Sequence, residues 1–280
     1  MSGLHLDVYT SPLRQLDNGG QFSPTTSTLV YGPSEAVLVD TQYMHDDVDE
    51  VIRRIEATGT TLTTIYVTHA HADHYFGLER LCERFPQARA VATPVVAADI
   101  AANNDALRTS WTEMFRGAAL DNTVIPEPLD GDTISVDGET LRAIVVGQAD
   151  IPNNTVLHVP SIAAVVAGDV IYNGINPFLA ASDPDAWRLW LASIAKVAEL
   201  QPRIVIAGHK RPELPDDDIA ASVGATGEYI RAFMAEVEAA SGSRDLVERM
   251  QRRYPDYGNP SALILSAVTA IKRNRPPAGD

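Results

Sequence analysis

The fold of this chain is decided by the stretch His69-Ala70-His71-Ala72-Asp73-His74. It follows the β-branched, apolar run Thr64-Ile65-Tyr66-Val67-Thr68, which predicts a buried strand. Three histidines and one aspartate on a strand-to-helix loop supply neutral nitrogen and anionic oxygen ligands, the set that suits Zn²⁺ or a neighbouring first-row metal. Without a metal, these ionisable groups would crowd together unpartnered. The pattern therefore predicts a metal site at the end of this strand.

The composition is that of a globular, acidic chain. Its 280 residues, 45% of them hydrophobic, are enough to bury a large core. The formal net charge is −15 and there is no run of Lys and Arg, so neither nucleic acid nor a membrane is an expected partner. The first residues lack the basic-then-apolar run of a secretory signal, which favours a cytoplasmic location. Cys82 is the single cysteine, so any metal must be held by imidazole and carboxylate.

Short β-branched runs alternate with helical patterns along most of the chain, which is typical of a layered α/β fold. Residues 28–40 predict a hairpin with its turn at Gly32-Pro33. Further strands are predicted between residues 133 and 167, and the pattern becomes helical towards the C-terminus. We therefore predict a catalytic domain over residues 1–214, with a helical C-terminal extension over residues 215–280 packed on it.

The histidine stretch, of the form HxHxDH, resembles the signature of the metallo-β-lactamase superfamily, whose fold is a four-layer αββα sandwich. Gly168-Asp169 and Gly208-His209, each after an apolar strand, resemble later landmarks of that superfamily, so the resemblance spans about residues 25–212. It implies one or two metal ions, Zn²⁺ in the first place, with Fe or Mn as alternatives. The ligands that it implies are His69, His71, Asp73, His74, Asp169 and His209.

One landmark departs from the superfamily pattern. Relatives usually have Gly-His after the strand that ends at Val146, whereas this chain has Gly147-Gln148-Ala149-Asp150. An amide oxygen is a weaker ligand than an imidazole, so we expect Gln148 to ligate or support the first metal and that metal to be held less tightly. Asp150 could substitute as the ligand, although a solvated turn explains it equally well.

Tyr172 comes three residues after Asp169. Lactonases of this superfamily have a tyrosine at the same offset, near the carbonyl oxygen under attack, so the resemblance implies a catalytic role for Tyr172. Packing of a half-buried ring is the equal alternative. Lys210 and Arg211, beside His209, are either solvated loop residues or partners for a product carboxylate.

The resemblance favours a hydrolase that opens an ester, lactone or thioester by attack of a metal-bound hydroxide, with Asp73 as ligand and proton shuttle. Lactones are favoured only by the position of Tyr172. The alternatives in the same superfamily are a β-lactamase-like enzyme and an iron-dependent enzyme similar to sulfur dioxygenases. A binding protein whose catalysis is weakened by the missing imidazole is a further alternative. The expected partner is a small-molecule substrate, and assembly into a homo-oligomer stays open.

Overall fold

The structure, a computed structural model, describes residues 3–17 and 19–274. Its strands, in chain order, are β1 (His5–Thr10), β2 (Arg14–Gln15), β3 (Gln21–Phe22), β4 (Thr26–Tyr31), β5 (Glu35–Val39), β6 (Thr61–Val67), β7 (Arg89–Ala92), β8 (Glu127–Pro128), β9 (Thr133–Val136), β10 (Glu139–Gly147), β11 (Asn154–Val159), β12 (Ala164–Val166), β13 (Tyr172–Asn173), β14 (Ile204–Ile206) and β15 (His209–Lys210). Its α-helices are α1 (His45–Thr58), α2 (Ala72–Tyr75), α3 (Leu78–Arg84), α4 (Pro94–Met114), α5 (Pro184–Glu199), α6 (Ala225–Ala239), α7 (Ser243–Arg253) and α8 (Pro260–Asn274).

The first sheet has six strands in the order β1-β4-β5-β6-β7-β8. The predicted hairpin is formed by β4 and β5, which pair antiparallel with Thr28 opposite Val39. Strand β6 joins β5 in parallel, with Val39 opposite Tyr66. Because parallel strands end at the same edge, Asp40 after β5 and the histidine stretch after β6 lie side by side.

The second sheet has five strands in the order β14-β12-β11-β10-β9. Strand β14 joins β12 in parallel, with Val165 opposite Val205. Strands β13 and β15 form a separate short parallel pair in which Tyr172 lies opposite His209. The second sheet and this short pair therefore bring the chain back to one edge at several well-separated points of the sequence.

The hydrophobic core consists of three clusters of buried side chains. Side chains of both sheets fill the space between them, among them Val37, Tyr66, Leu141, Val166 and Ile206. The outer face of the first sheet is covered by α1, α3 and α4, and on α1 the buried Val48, Val51 and Ile55 recur at helical spacing. Helix α5 packs on the outer face of the second sheet, and α6, α7 and α8 extend the same apolar cluster. This arrangement confirms the predicted four-layer αββα sandwich.

The C-terminal helices continue the layer that α5 begins. Trp187 and Trp190 of α5 are buried, and the Trp187 ring meets Phe233 of α6 edge to face at 5.3 Å. The predicted helical C-terminus is confirmed in its described part, and residues 275–280, like residues 1 and 2, lie outside the described residues. The boundary at residue 214 stays a prediction. Among residues 3–17 and 19–274, no helix combines the length and apolarity needed to cross a bilayer.

Candidate metal centre

The site lies where the carboxyl ends of strands from both sheets meet. His69 and His71 follow β6, while Asp73 and His74 lie on the single-turn helix α2. Three further side chains reach the same point from the second half of the fold: Asp150 after β10, Asp169 after β12 and His209 at the start of β15. Residues that are up to 140 positions apart in the sequence, from His69 to His209, are thus brought together by the ends of strands.

The first cluster comprises His69, His71, Asp150 and Asp169, whose ligand atoms all lie within 4.8 Å of one another. Nδ1 of His71 lies 2.8 Å from Oδ2 of Asp150 and 3.7 Å from Oδ2 of Asp169. Nε2 of His69 lies 3.6 Å from the same Asp169 oxygen. Two imidazoles and two carboxylates form a donor set that suits a divalent cation.

The second cluster comprises Asp73, His74 and His209. Oδ2 of Asp73 lies 3.4 Å from Nε2 of His74 and 3.5 Å from Nε2 of His209. Asp169 approaches the same two nitrogens, with Oδ1 3.1 Å from His74 Nε2 and Oδ2 3.1 Å from His209 Nε2. Asp169 therefore lies between the two clusters and approaches the ligand atoms of both.

Charge at this centre is strongly coupled. Burial by itself would raise the pKa of Asp169, but the imidazoles of His209, His74 and His69 outweigh burial and hold that pKa well below its usual range. Conversely, burial opposes the charged form of His74, yet the carboxylates of Asp73 and Asp169 hold its pKa well above the usual value. The buried carboxylates thus require positive charge beside them, from protons or from a metal.

Outer hydrogen bonds orient the histidines. His209 Nδ1 donates to the carbonyl of Pro24 (2.7 Å), and His74 Nδ1 donates to Oδ2 of Asp40 (2.8 Å). Thr68 Oγ1 donates its proton to the same Asp40 oxygen (2.8 Å). The Thr68 hydroxyl oxygen therefore accepts a hydrogen bond from His69 Nδ1 at 2.9 Å. In all three rings Nε2 is therefore the nitrogen free to bind a metal.

Asp40 contacts the site and was missed by our sequence analysis, because we assigned it only to the end of a strand. It is buried and has a left-handed backbone, with φ 59°. It also accepts from the backbone N–H of Thr68 at 2.9 Å. The available signal was an ionisable residue that ends the apolar run Ala36-Val37-Leu38-Val39 beside the strand of the metal motif.

Steric crowding explains why glycine occurs at Gly168 and Gly208, the residues before Asp169 and His209. A Cβ on Gly208 would lie 2.3 Å from Oδ1 of Asp169 and 2.5 Å from the carbonyl carbon of Gly168. A Cβ on Gly168, whose φ is +48°, would lie 2.7 Å from Oγ1 of Thr68. Gly208 is therefore required by the close approach of the Asp169 carboxylate, and Gly168 by its left-handed backbone and the close approach of Thr68.

The residues present fit a bound metal. Nε2 of His69 and of His74, Oδ2 of Asp150 and Oδ1 of Asp169 are all buried without a hydrogen bond of good geometry. An unsatisfied buried polar group costs about 1–3 kcal/mol, so leaving all of them unpaired would be a heavy penalty. Every one of these atoms belongs to the groups that form the two clusters, and cations bound there would satisfy them.

A cavity of about 470 Å³ opens onto both clusters, and its polar wall includes His71, Asp73, Asp150, Asp169 and His209. Tyr172 lines it as well, and its hydroxyl donates to Oδ2 of Asp169 at 3.1 Å. Burial, and then the charge of Asp169, raise the pKa of Tyr172 well above its ordinary value. Tyr172 is therefore a neutral hydrogen-bond donor at the metal centre.

The turn after β10 differs from the sequence-based expectation. Asp150, which we expected only as a substitute, is buried and lines the cavity. Gln148 is half-buried, does not line the cavity, and donates from Nε2 to the carbonyl of Ala149 at 2.9 Å. A role for Gln148 at the first metal stays a prediction.

The two basic residues next to His209 are engaged away from the cavity. Lys210 is buried, not solvated, and its ammonium pairs with Asp216. Arg211 pairs with Glu213 and donates to the carbonyl of Asp256 at 3.1 Å. Neither residue lines the cavity, so the structure gives no support to a role in holding a product carboxylate.

Two sheets packed between helical layers, with a His/Asp centre at their shared edge, define the metallo-β-lactamase fold. Proteins with this fold form a class that binds divalent metals. A family profile described as the metallo-beta-lactamase superfamily matches residues 20–209. The chain belongs to this superfamily, whose members are mostly metal-dependent hydrolases. The comparison with curated proteins gives no match.

Solved structures agree on the fold. A metallo-beta-lactamase family protein from Thermus thermophilus is 20% identical with a TM-score of 0.64, the match covering 94% of this chain and 92% of that one. A beta-lactamase domain protein from Burkholderia ambifaria is 17% identical with a TM-score of 0.65, covering 96% and 84%. A metallo-beta-lactamase from Pseudomonas aeruginosa, solved in a mono-zinc form, is 16% identical with a TM-score of 0.58, covering 82% and 92%. At these identities the likeness is one of fold alone.

Proposed function

We propose that this chain is a metal-dependent hydrolase that cleaves the acyl bond of an ester, lactone or thioester. The observation that carries the proposal is the meeting of two His/Asp clusters at Asp169, on a cavity where the Tyr172 hydroxyl lies 3.1 Å from that carboxylate. Carbonyl hydrolysis needs a nucleophile, a stabiliser for the developing oxyanion and a proton acceptor. The centre offers a group for each of these tasks.

The clusters divide the ligands into two sets. In this proposal the first ion is held by His69, His71, Asp150 and Asp169, and the second by Asp73, His74, Asp169 and His209. Zn²⁺ suits both sets, in keeping with the mono-zinc structure of the Pseudomonas aeruginosa protein, and the paired carboxylates of the first set also suit Mn or Fe. The chemistry that a divalent metal supplies at such a site is Lewis acidity and a water nucleophile active near neutral pH.

Tyr172 is the proposed oxyanion donor. Its ring packs between Trp190 and His209, with centroids 5.9 and 5.2 Å away, so the hydroxyl is held at the centre. Rotation about the C–O bond alone redirects the proton from Asp169 to a carbonyl oxygen in the cavity. The donor is thereby positioned before the reaction, which is the condition under which such hydrogen bonds lower a barrier most.

Asp73 is the proposed proton carrier as well as a ligand. It lines the cavity, and Thr25 Oγ1 donates to its Oδ2 at 2.8 Å, which fixes the carboxylate. A carboxylate held there accepts the proton that the attacking water releases and returns it to the leaving oxygen or sulfur.

The test is a reconstitution assay. Chelator-treated protein loaded with Zn²⁺, Mn²⁺ or Fe²⁺ is assayed on neutral esters, lactones and thioesters, and hydrolysis is expected only with metal. His74→Ala should abolish it, whereas His5→Ala, which removes an exposed imidazole at the start of β1, should not. A metal-loaded protein that hydrolyses no member of the panel would refute the proposal.

One alternative has an observation in its favour. Two imidazoles and a terminal carboxylate, as in His69, His71 and Asp150, are the ligand set of many non-haem iron oxygenases. Oxygen uptake by the iron-loaded protein, without hydrolysis of any ester, would select this alternative. The cytoplasmic location, the small-molecule partner and the question of a homo-oligomer stay predictions.

A further inference from the structure

The cavity has a second wall that takes no part in metal binding. This wall is apolar, and the residues that form most of it are Phe22, Leu107, Trp111, Met114, Phe178 and Leu265. They come from β3, from α4, from the loop before α5 and from α8, so the first and last helical layers both contribute. A volume of about 470 Å³ falls in the range of about 300–1,000 Å³ that is typical of small-molecule pockets.

The apolar wall is preformed by packing and hydrogen bonds within the protein. Trp111 is 7% exposed and its ring meets Phe22 edge to face at 5.2 Å. The part of the wall that comes from the C-terminus is tied down by hydrogen bonds from Gln21 N to Ser261 Oγ (2.9 Å) and from Leu179 N to Ser266 Oγ (3.0 Å). Helix α8 is therefore fixed in place over the metal centre.

The acidic side chains that line the cavity all belong to the two metal clusters. Asp73, Asp150 and Asp169 would be balanced by bound cations, and among the described residues that line the cavity there is no Lys or Arg to pair with an anion elsewhere in it. The basic residues that directly follow a lining residue in the sequence are Lys210, after His209, and Arg108, after Leu107; they pair with Asp216 and Asp121. A substrate that carries an anionic group apart from its reacting carbonyl would leave that charge unpaired against an apolar wall.

We propose that this cavity selects uncharged acyl substrates whose apolar chain or ring packs against Phe22, Trp111 and Phe178, with Leu265 of the C-terminal helix closing the apolar side. The inference rests on the proposed hydrolase function and narrows its substrate class. It places substrates with a free carboxylate, such as β-lactams or glutathione thioesters, among the poor ones. It also gives the C-terminal helix a role in specificity.

The hydrolytic arm of the test uses 4-nitrophenyl esters and the metal-loaded protein. Burial of one methylene raises kcat/KM about fourfold, so we expect a steady rise from acetate to hexanoate. The mono-4-nitrophenyl ester of adipate, which has the same carbon count as hexanoate and a terminal carboxylate, should be at least about tenfold poorer than hexanoate. Equal kcat/KM for hexanoate and adipate would overturn the inference.

The chain offers a matched pair of variants. Leu265 and Ile264 are neighbours on α8 and are 50% and 48% exposed, but only Leu265 lines the cavity. Leu265→Lys should lower the ratio of kcat/KM for the hexanoate ester to that for the adipate ester at least about threefold, because it brings a cation to the apolar wall. Ile264→Lys should leave the ratio unchanged, and both variants should keep the wild-type melting temperature.

A binding arm separates this inference from the proposed function. Octanamide and suberamic acid, which has the same chain with a terminal carboxylate, are titrated calorimetrically into the metal-loaded protein. Tighter binding of octanamide than of suberamic acid, with the difference in affinity reduced or reversed by Leu265→Lys, supports the selection of uncharged ligands. If this result is obtained and no ester is hydrolysed, only the hydrolase proposal fails. Equal binding of the two amides, or binding of neither, overturns the inference.

Discussion

Oδ2 of Asp150 lies 2.8 Å from Nδ1 of His71, so the turn after β10 contributes a carboxylate to the first cluster. Oδ1 of the same carboxylate accepts from the backbone N–H of Ile151 at 2.8 Å, so the side chain is fixed with Oδ2 towards the cluster. Together with Asp169, Asp150 gives the first cluster two carboxylates beside two imidazoles, which makes the cluster anionic and a hard ligand set. This contact therefore decides what the first metal site is made of.

The first prediction concerns this carboxylate. Asp150→Asn should lower the affinity of the first metal at least about 10–100-fold, since even changes outside the ligand set have effects of that size. Gln148→Ala, two residues away in the same turn, is the matched variant; because its side chain does not line the cavity, we expect unchanged affinity, against the sequence-based expectation of a role for Gln148. Competition with a chromogenic chelator measures both. A loss of metal in Gln148→Ala with none in Asp150→Asn would return the ligand role to Gln148.

The second prediction concerns Asp40, which touches His74 and Thr68 but does not line the cavity. Asp40→Asn keeps a side chain that tolerates the left-handed backbone, yet an amide orients His74 less firmly than a carboxylate does. Metal affinity should fall about 10–100-fold. Asp137→Asn is the control, because Asp137 also accepts several hydrogen bonds, but from Ser34 and Glu35 in the hairpin. Equal metal affinity in the two variants would mean that Asp40 only stabilises the loop.

The third prediction tests the proposed donor. Tyr172→Phe removes one hydroxyl and keeps the ring, so metal content and melting temperature should stay close to wild type. Turnover should fall by about 100-fold or less, at the low end of the loss for an oxyanion donor, because a metal shares the same charge. Tyr66→Phe is the control, since Tyr66 is equally buried and pairs with Thr155 between the sheets. If turnover of Tyr172→Phe on the best substrate drops less than about threefold, Tyr172 is a packing residue.

The fourth prediction rests on the space beside Asp169. Gly208→Ala would place a methyl group 2.3 Å from Oδ1 of Asp169, so the carboxylate between the clusters must shift. Metal affinity should fall at least about tenfold. Gly224→Ala meets nothing within 4 Å and should leave metal binding intact, with stability unchanged or raised by up to about 1 kcal/mol. Full metal content of Gly208→Ala, measured by elemental analysis, would show that the backbone can relax around the added group.

The sequence by itself determined the sandwich and the centre of the site. Four ligand candidates lie within the six residues His69 to His74, so one loop places them together whatever the rest of the chain does. The strand before this loop ends in Ile65-Tyr66-Val67, whose β-branched and aromatic side chains favour a buried strand. Asp169 and His209 could be found because each follows a glycine at the end of an apolar strand, where the backbone must pass closely.

Tertiary structure alone decided which side chain of the turn after β10 faces the cavity. The pairing of β10 with β11 shifts register between Val145 and Gly147, and Gly147 has a φ of +109°. Strand β10 ends at Gly147 and residues 148–153 form an irregular turn, so the two-residue alternation of a strand no longer applies there and counting could not separate Gln148 from Asp150. The apolar wall has the same origin, because Trp111 and Leu265 are 154 positions apart and meet at one cavity only when both outer helical layers have packed onto the sheets.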